Sequence, residues 1–180
     1  DSMPDMWTEG VGVYAIGAWP APFGIVLVVD RVAAMMHVLT SIVALASLVY
    51  SLANWERVAP GFHSMFQFLL MGLNGAFLTG DLFNLFVFFE VLLASSYGLM
   101  LHGSGPARVK AGLHYVVVNL TASFLFLIGV AMIYGMTGTL NMADLARRIP
   151  LLDADDRALF EAGAAILGVA FLVKAGVWPL

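Results

Sequence analysis

GDLFNLFVFFEVLLASSYGLML, residues 80–101, is apolar over a helix-spanning length and carries one carboxylate, Glu90, near its middle. At about 1.5 Å per residue, Asp81 to Leu101 covers about 30 Å, the thickness of a bilayer's hydrocarbon core. Asp81 is placed to cap the first turn, which leaves Glu90 roughly 13 Å deep, close to the midplane. About a dozen Leu, Phe and Val residues favour insertion by roughly 4 to 7 kcal/mol, against about 3 kcal/mol for a central acid. The acid is therefore tolerated. Hydrocarbon disfavours a bare charge and a nearby cation favours it, so Glu90 reads as a proton switch. The plainer role is a hydrogen bond to a neighbouring helix, with Phe83, Phe86, Phe88 and Phe89 as lipid-facing and packing residues.

Working outward, the chain of 180 residues is 61% hydrophobic and 11% charged, with mean hydropathy +0.92. These values belong to an integral membrane protein. A net charge of −4 with scattered cations gives no footprint for nucleic acid. With no cysteine, a thiol nucleophile or a Cys-ligated cluster is excluded. His37, His63, His102 and His114 lie on separate segments without metal-site spacing, so neither metal nor cofactor is expected. The chain begins at Asp1 and stops inside a hydrophobic segment, which is expected of an internal piece of a longer polytopic protein.

The fold class expected is an all-α polytopic transmembrane helix bundle, with about five spans near residues 25–52, 62–78, 81–101, 111–134 and 159–180. Residues 1–24 are expected to form an extracytoplasmic interfacial lead, with Trp7, Tyr14 and Trp19 at headgroup level. In the first span His37, Thr40, Ser41, Ala44, Ser47 and Ser51 share one face. Gly72 and Gly75, beside Asn74, let a neighbouring backbone come close, and a turn at Thr79 and Gly80 folds the second and third spans into a hairpin. A loop with Trp55, Glu56, Arg57 and Pro60 and a Gly-Ser-Gly-Pro turn before Arg108 and Lys110 share one side. The positive-inside tendency makes that side cytoplasmic, although Arg147, Arg148 and Arg157 nearly balance it. The connection 135–157 is too polar to span. Within it Asn141 caps an amphipathic helix, Met142 to Ile149, with Leu145 and Ile149 towards the membrane and Pro150 ending it.

Two further features bear on chemistry. Tyr115, Asn119 and Ser123 recur every four residues and form a polar seam on the fourth span, either for interhelical hydrogen bonding or as a possible water-lined path beside Glu90. Lys174 lies within the last span, with Gly176 and Pro179 just after it, a pattern that favours a broken helix of the kind that lines ion sites. A lysine can also snorkel to the interface. Two opposite charges on co-directional spans favour a pair, worth about 4 kcal/mol at 4 Å and an effective dielectric near 20.

The motifs GAWPAPFGI (17–25), GAFLTGDLFNLFVFFEVLLASSYGLML (75–101), YVVVNL (115–120), YGMTGTLNMADLA (134–146) and LVKAGVWPL (172–180) resemble the D subunits of Mrp-type multisubunit sodium/proton antiporters. They are similar, less closely, to the antiporter-like proton-pumping subunits of respiratory NADH:quinone oxidoreductase and of membrane-bound hydrogenases. The resemblance implies a fourteen-helix antiporter-like fold with a glutamate on helix five and a lysine on a broken helix seven, positions that Glu90 and Lys174 match. The chain would then be helices three to seven of a cell-membrane transport subunit rather than an enzyme. It would relay H⁺ in support of Na⁺/H⁺ exchange among other membrane subunits in the lipid bilayer, and would not transport by itself. A redox-driven proton pump is the alternative, and a purely structural membrane scaffold a third reading.

Overall fold

The computed structural model describes residues 10–19, 23–52, 61–101 and 105–177. Trp7, Trp55, Glu56, Arg57, Pro60, His102, Pro179 and part of the Gly-Ser-Gly-Pro turn lie outside them. The described chain holds two short strands, β1 (Gly12–Ala15) and β2 (Val26–Val29). Five long helices follow: α1 (Arg31–Leu52), α2 (Phe62–Leu78), α3 (Leu82–Leu101), α4 (Pro106–Thr137) and, after the short α5 (Met142–Arg148), α6 (Ala154–Lys174). By length and composition α1, α3 and α4 are each long and apolar enough to cross a membrane.

The expected first span from residue 25 is corrected here, because residues 26–29 are a strand and the helix starts at Arg31. The β-branched run Val26, Val28 and Val29 favours extended backbone, and Asp30 then caps the helix, its Oδ1 accepting from Ala33 N at 2.6 Å. Within the lead, β1 pairs antiparallel with β2, Gly12 opposite Val29 and Ala15 opposite Val26. The fourth and fifth helices start earlier than the 111–134 and 159–180 expected. Pro106 opens α4 where its missing N–H costs nothing, and Asp153 opens α6 by accepting from Asp156 N at 2.9 Å.

Backbone pairing closes one end of the bundle. Gly80 N donates to Val26 O, Leu82 N to Leu140 O and Met142 N to Gly80 O, at 2.8, 3.0 and 2.8 Å. The β hairpin, the α2–α3 turn and the start of α5 thus form one plate. Asp81 caps α3 through Asn84 N at 2.9 Å, and Asn141 caps α5 through Ala143 N and Asp144 N. Contrary to expectation, Leu145 does not face the membrane. It is buried with Phe126, Val130, Ile133, Leu167 and Ala170 in the core between α4 and α6. Ile149 packs against the same core, so α5 plugs the bundle rather than lying on lipid.

Arg148 holds this plug, with Nη1 donating to Thr137 O at 2.9 Å and Nε pairing with Asp144 at 3.0 Å. Loss of hydration pushes the Asp144 carboxyl up, but hydrogen bonds from Thr139 and Arg148 and the charges of Arg148 and Arg147 outweigh it and hold the group below its usual value. A carboxylate lowered on folding contributes stability that is complete above the unfolded value, about pH 4, and is lost as pH falls through the folded value. Amide exchange of residues 138–148, corrected for intrinsic rate, is therefore expected to quicken on acidification in the native chain. Asp144→Asn is expected to show the quicker exchange already at neutral pH, and equal protection in both proteins would contradict the lock.

Candidate functional site

Close helix approach sets the site. Gly72 and Gly75 on α2 face α3, where an added Cβ would lie 2.7 Å from Leu92 N and 2.1 Å from the Phe88 ring respectively. Gly129 on α4 and Gly163 on α6 make the same allowance, with an added Cβ 2.9 Å from Gly163 O and from Met132 Cβ respectively. Between these two crossings α3 rests against α4, and the three helices α3, α4 and α6 each contribute one polar group to a common point.

That point is Ser123. Lys174 Nζ donates to Ser123 Oγ at 3.0 Å, and Ser123 Oγ donates to Glu90 Oε1 through a short hydrogen bond. Lys174 Nζ and Glu90 Oε1 are 3.9 Å apart, so the hydroxyl bridges a pair that is itself within ion-pair range. A hydroxyl has one proton and two lone pairs. Its proton goes to the carboxylate and a lone pair takes the ammonium, which gives an unbroken donor chain from base to acid.

The surroundings are mainly aromatic. Phe89 and Phe171 meet Phe126 edge-on, with Phe86 tilted against it, and Lys174 Nζ lies 5.6 Å from the Phe89 ring centroid. The lysine side chain is 10% exposed and the glutamate 37%. The phenylalanines expected as lipid-facing and packing residues take both roles, since Phe86 and Phe89 pack inward, Phe88 packs on Gly75 and Phe83 is exposed. A cavity of about 580 Å³ opens beside Lys174, lined among others by Phe89, Asn119, Tyr115 and His114. The α6 helix ends at Lys174, and Gly176 follows with φ +69°.

Of the residues singled out in sequence, the structure brings Glu90, Ser123 and Lys174 together. Asn119 is buried and lines the cavity, but its side chain donates to Tyr115 O at 2.9 Å and does not join the chain. Tyr115 is partly exposed, 3.4 Å from Ser96 Oγ and edge-on to Tyr97. Sequence reasoning leaves out Ser96, Tyr97 and the enclosing Phe126 and Phe171. The four-residue step from Asn119 to Ser123 is the available signal for Ser123, but not for its bridging position. Among the described residues no cluster of three or more His, Asp or Glu side chains is arranged for a metal ion.

Comparison with known proteins sets this geometry in a family. Residues 79–180 match the family described as NADH:quinone oxidoreductase/Mrp antiporter, TM. The chain is 68% identical over 171 residues to the D subunit of a probable K(+)/H(+) antiporter from Rhizobium meliloti, covering 95% of this chain and 32% of that one. It is 48% identical to the D subunit of a Na(+)/H(+) antiporter from Alkalihalophilus pseudofirmus, covering 98% and 36%. Its fold matches a chain of the Mrp complex from Dietzia sp. DQ12-45-1b with TM-score 0.81 and 36% identity, over 92% of this chain and 31% of that one. The chain thus spans about a third of the length of the curated relatives it matches. With its apolar helices, packed bundle and matched motifs, this multi-pass membrane chain belongs to the NADH:quinone oxidoreductase/Mrp antiporter transmembrane family.

Proposed function

We propose that this chain is the proton-handling part of a cation/proton antiporter subunit, and that Lys174, Ser123 and Glu90 pass a proton between them. The observation that carries the reading is the Lys174–Ser123–Glu90 hydrogen-bond chain in an apolar, aromatic setting. In the transfer, a proton leaves Lys174 Nζ for Ser123 Oγ as the serine proton moves to Glu90. Neutral lysine and neutral glutamic acid result, and rotation of the hydroxyl resets the chain. At 3.9 Å and an effective dielectric near 20, the two charges attract each other by about 4 kcal/mol, so the equilibrium turns on whether the two ends stay together. Binding of a cation elsewhere in the full protein that separates Lys174 from Glu90, by repulsion or by a coupled change of conformation, would drive proton loss at the lysine and proton gain at the glutamate.

The cavity beside Lys174, with Asn119, Tyr115 and His114 on its wall, gives water a way to the lysine. The exposed part of Glu90 gives the acid a second face. The remaining helices of the full-length chain and the other membrane subunits complete both routes, and Tyr115 and Asn119 belong to the first. The exchanged cation is monovalent. Because the 68% identical relative is named for K⁺ and the 48% identical one for Na⁺, both ions belong in the assay, K⁺ first.

The test is Glu90→Gln in the full-length protein within its complex, assayed in inverted membrane vesicles for K⁺- and Na⁺-dependent proton movement. Exchange is expected to fall by about 100-fold or more, the scale of a lost proton-transfer group. Unchanged exchange with either cation, at equal protein in the membrane, overturns the relay. The family description also spans quinone-linked enzymes, and co-purification with flavin and iron-sulfur subunits would move this same relay into a redox pump.

A further inference from the structure

The gap between α1 and α2 is not of one width. Near the plate the two helices touch, His37 edge-on to Phe77 with ring centroids 5.9 Å apart. Towards the other end a groove of about 670 Å³ opens, walled among others by Ala46 and Tyr50 of α1, by Phe62, Phe66 and Leu69 of α2 and by Leu99 of α3. Its floor is tight. An added Cβ at Gly98 of α3 would lie 2.9 Å from Met65 Sδ of α2, and Phe62 and Phe66 stack with centroids 5.7 Å apart. On the α1 side the residues at 46 and 47 are Ala and Ser, whose side chains are too short to fill the space.

The shape of the groove limits what can enter it. Phe62 to Leu69 is seven residues, about 10 Å along the axis, against roughly 15 Å for the hydrocarbon of one leaflet. A helix is about 10–12 Å across with its side chains, so a spanning helix would need α1 and α2 parted along their whole length, which the His37–Phe77 contact prevents. An acyl chain is thinner and ends near the midplane. The charges around the mouth then select among lipids. Among the described residues this end of the bundle carries His63, next to Phe62, and Arg108 and Lys110 in the first turns of α4, which meets the end of α3 where Leu101 packs on Gly112. Every described carboxylate other than Glu90 lies towards the opposite end, from Asp30 and Asp81 to Asp144 and the run from Asp153 to Glu161. Tyr50, exposed in the last turn of α1, adds a phenol at headgroup level.

We propose that this groove binds one anionic phospholipid, with an acyl chain along Phe62 and Phe66 and the phosphate at the cationic end of the bundle. In a bilayer the surrounding tails are as apolar as the groove, so burial alone does not choose the occupant. The fit of one chain in a wedge closed at its inner end, and the charge at its mouth, do. A basic recess between spanning helices favours an anionic headgroup, by about fivefold for each Lys or Arg near it. The bound chain fills the space that Ala46 and Ser47 leave and ties the far end of α1 to α2. The site is independent of the Lys174–Ser123–Glu90 reading, because its signal is lipid contact and not transport.

The test is photolabelling of the full-length protein in its membrane complex, held in phosphatidylcholine vesicles with a trace of phosphatidylglycerol whose acyl chain carries a diazirine, followed by peptide mapping. Label is expected on residues 46–51 and 62–69 despite the excess of phosphatidylcholine. Added unlabelled phosphatidylglycerol is expected to displace it, and the same amount of further phosphatidylcholine is not. The double variant Arg108→Gln, Lys110→Gln is expected to weaken that displacement about fivefold or more. Ala46→Trp, which fills the groove, is expected to remove label from 62–69, and Leu45→Trp, on the opposite face of α1, to keep it. Groove peptides that take no label in the native protein, as a covering protein segment would give, overturn the proposal whatever the variants do. So does displacement by phosphatidylcholine as readily as by phosphatidylglycerol, by native and double-variant protein alike, or native labelling of 62–69 in Ala46→Trp.

Discussion

Replacing Lys174 with arginine is expected to leave the full-length protein assembled in its membrane complex and to lower cation-dependent proton movement about 100-fold or more. Arginine keeps a positive charge beside Glu90, and its fork can still reach the carboxylate and Ser123. What it cannot do is release the proton, since a guanidinium stays charged throughout the pH range in which proteins work. The substitution therefore separates two roles that Lys174→Ala would confuse. If the lysine only pairs with Glu90 to hold α6 against α3, arginine serves as well and exchange survives. If the lysine must pass through its neutral form, arginine locks the chain in one state.

Ser123 sharpens the comparison. Its hydroxyl stands between Nζ and Oε1, and a guanidinium is bulkier than an ammonium, so some displacement at this buried serine is expected with arginine. Equal abundance of the complex, with unchanged thermal stability in detergent, shows that the displacement is absorbed. Vesicle assays with K⁺ and Na⁺ then report the proton step alone. Native rates in Lys174→Arg would mean that no proton leaves this residue during exchange.

How far the site can be read in advance depends on what kind of information each residue carries. Glu90 and Lys174 are legible because a charge within an apolar span is costly enough to demand a reason, wherever neighbouring helices sit. Ser123 is legible only as part of a face. Its position between the two charges depends on how α3, α4 and α6 are rotated about one another, which the spacing of one helix does not contain. Leu145 misleads because an apolar stripe looks the same whether it meets acyl chains or a protein core. The strand at residues 26–29 merges with the first span in sequence because a short apolar run does not tell strand from helix. The caps at Asp81, Asn141 and Asp153, by contrast, are local, and each sits where its residue type predicts.

The second large effect expected is that of Gly129→Leu, which should lower both the amount of protein in the membrane and the exchange that remains per molecule. Gly129 lies six residues, under two turns, beyond Ser123 on α4, and it meets α6 where Gly163 and Leu167 pass. A Cβ there would stand 2.9 Å from Gly163 O and 3.0 Å from Leu167 N, both backbone atoms that no rotamer change can move. The helices must separate, at a cost of about 1 to 3 kcal/mol for overpacking and more for a branched side chain. Leu167 is seven residues, two turns, before Lys174, so separation at this crossing carries the lysine away from Ser123 and opens the 3.0 Å hydrogen bond. Gly168→Ala is the control. It lies on α6, with nothing among the described residues within 4 Å of an added Cβ, and alanine in a helix is favoured over glycine by roughly 0.5 to 1 kcal/mol. Gly168→Ala should therefore accumulate at least as well as the native protein and exchange at the native rate. If Gly129→Leu behaves the same way, the close α4–α6 crossing is not what holds the lysine at Ser123.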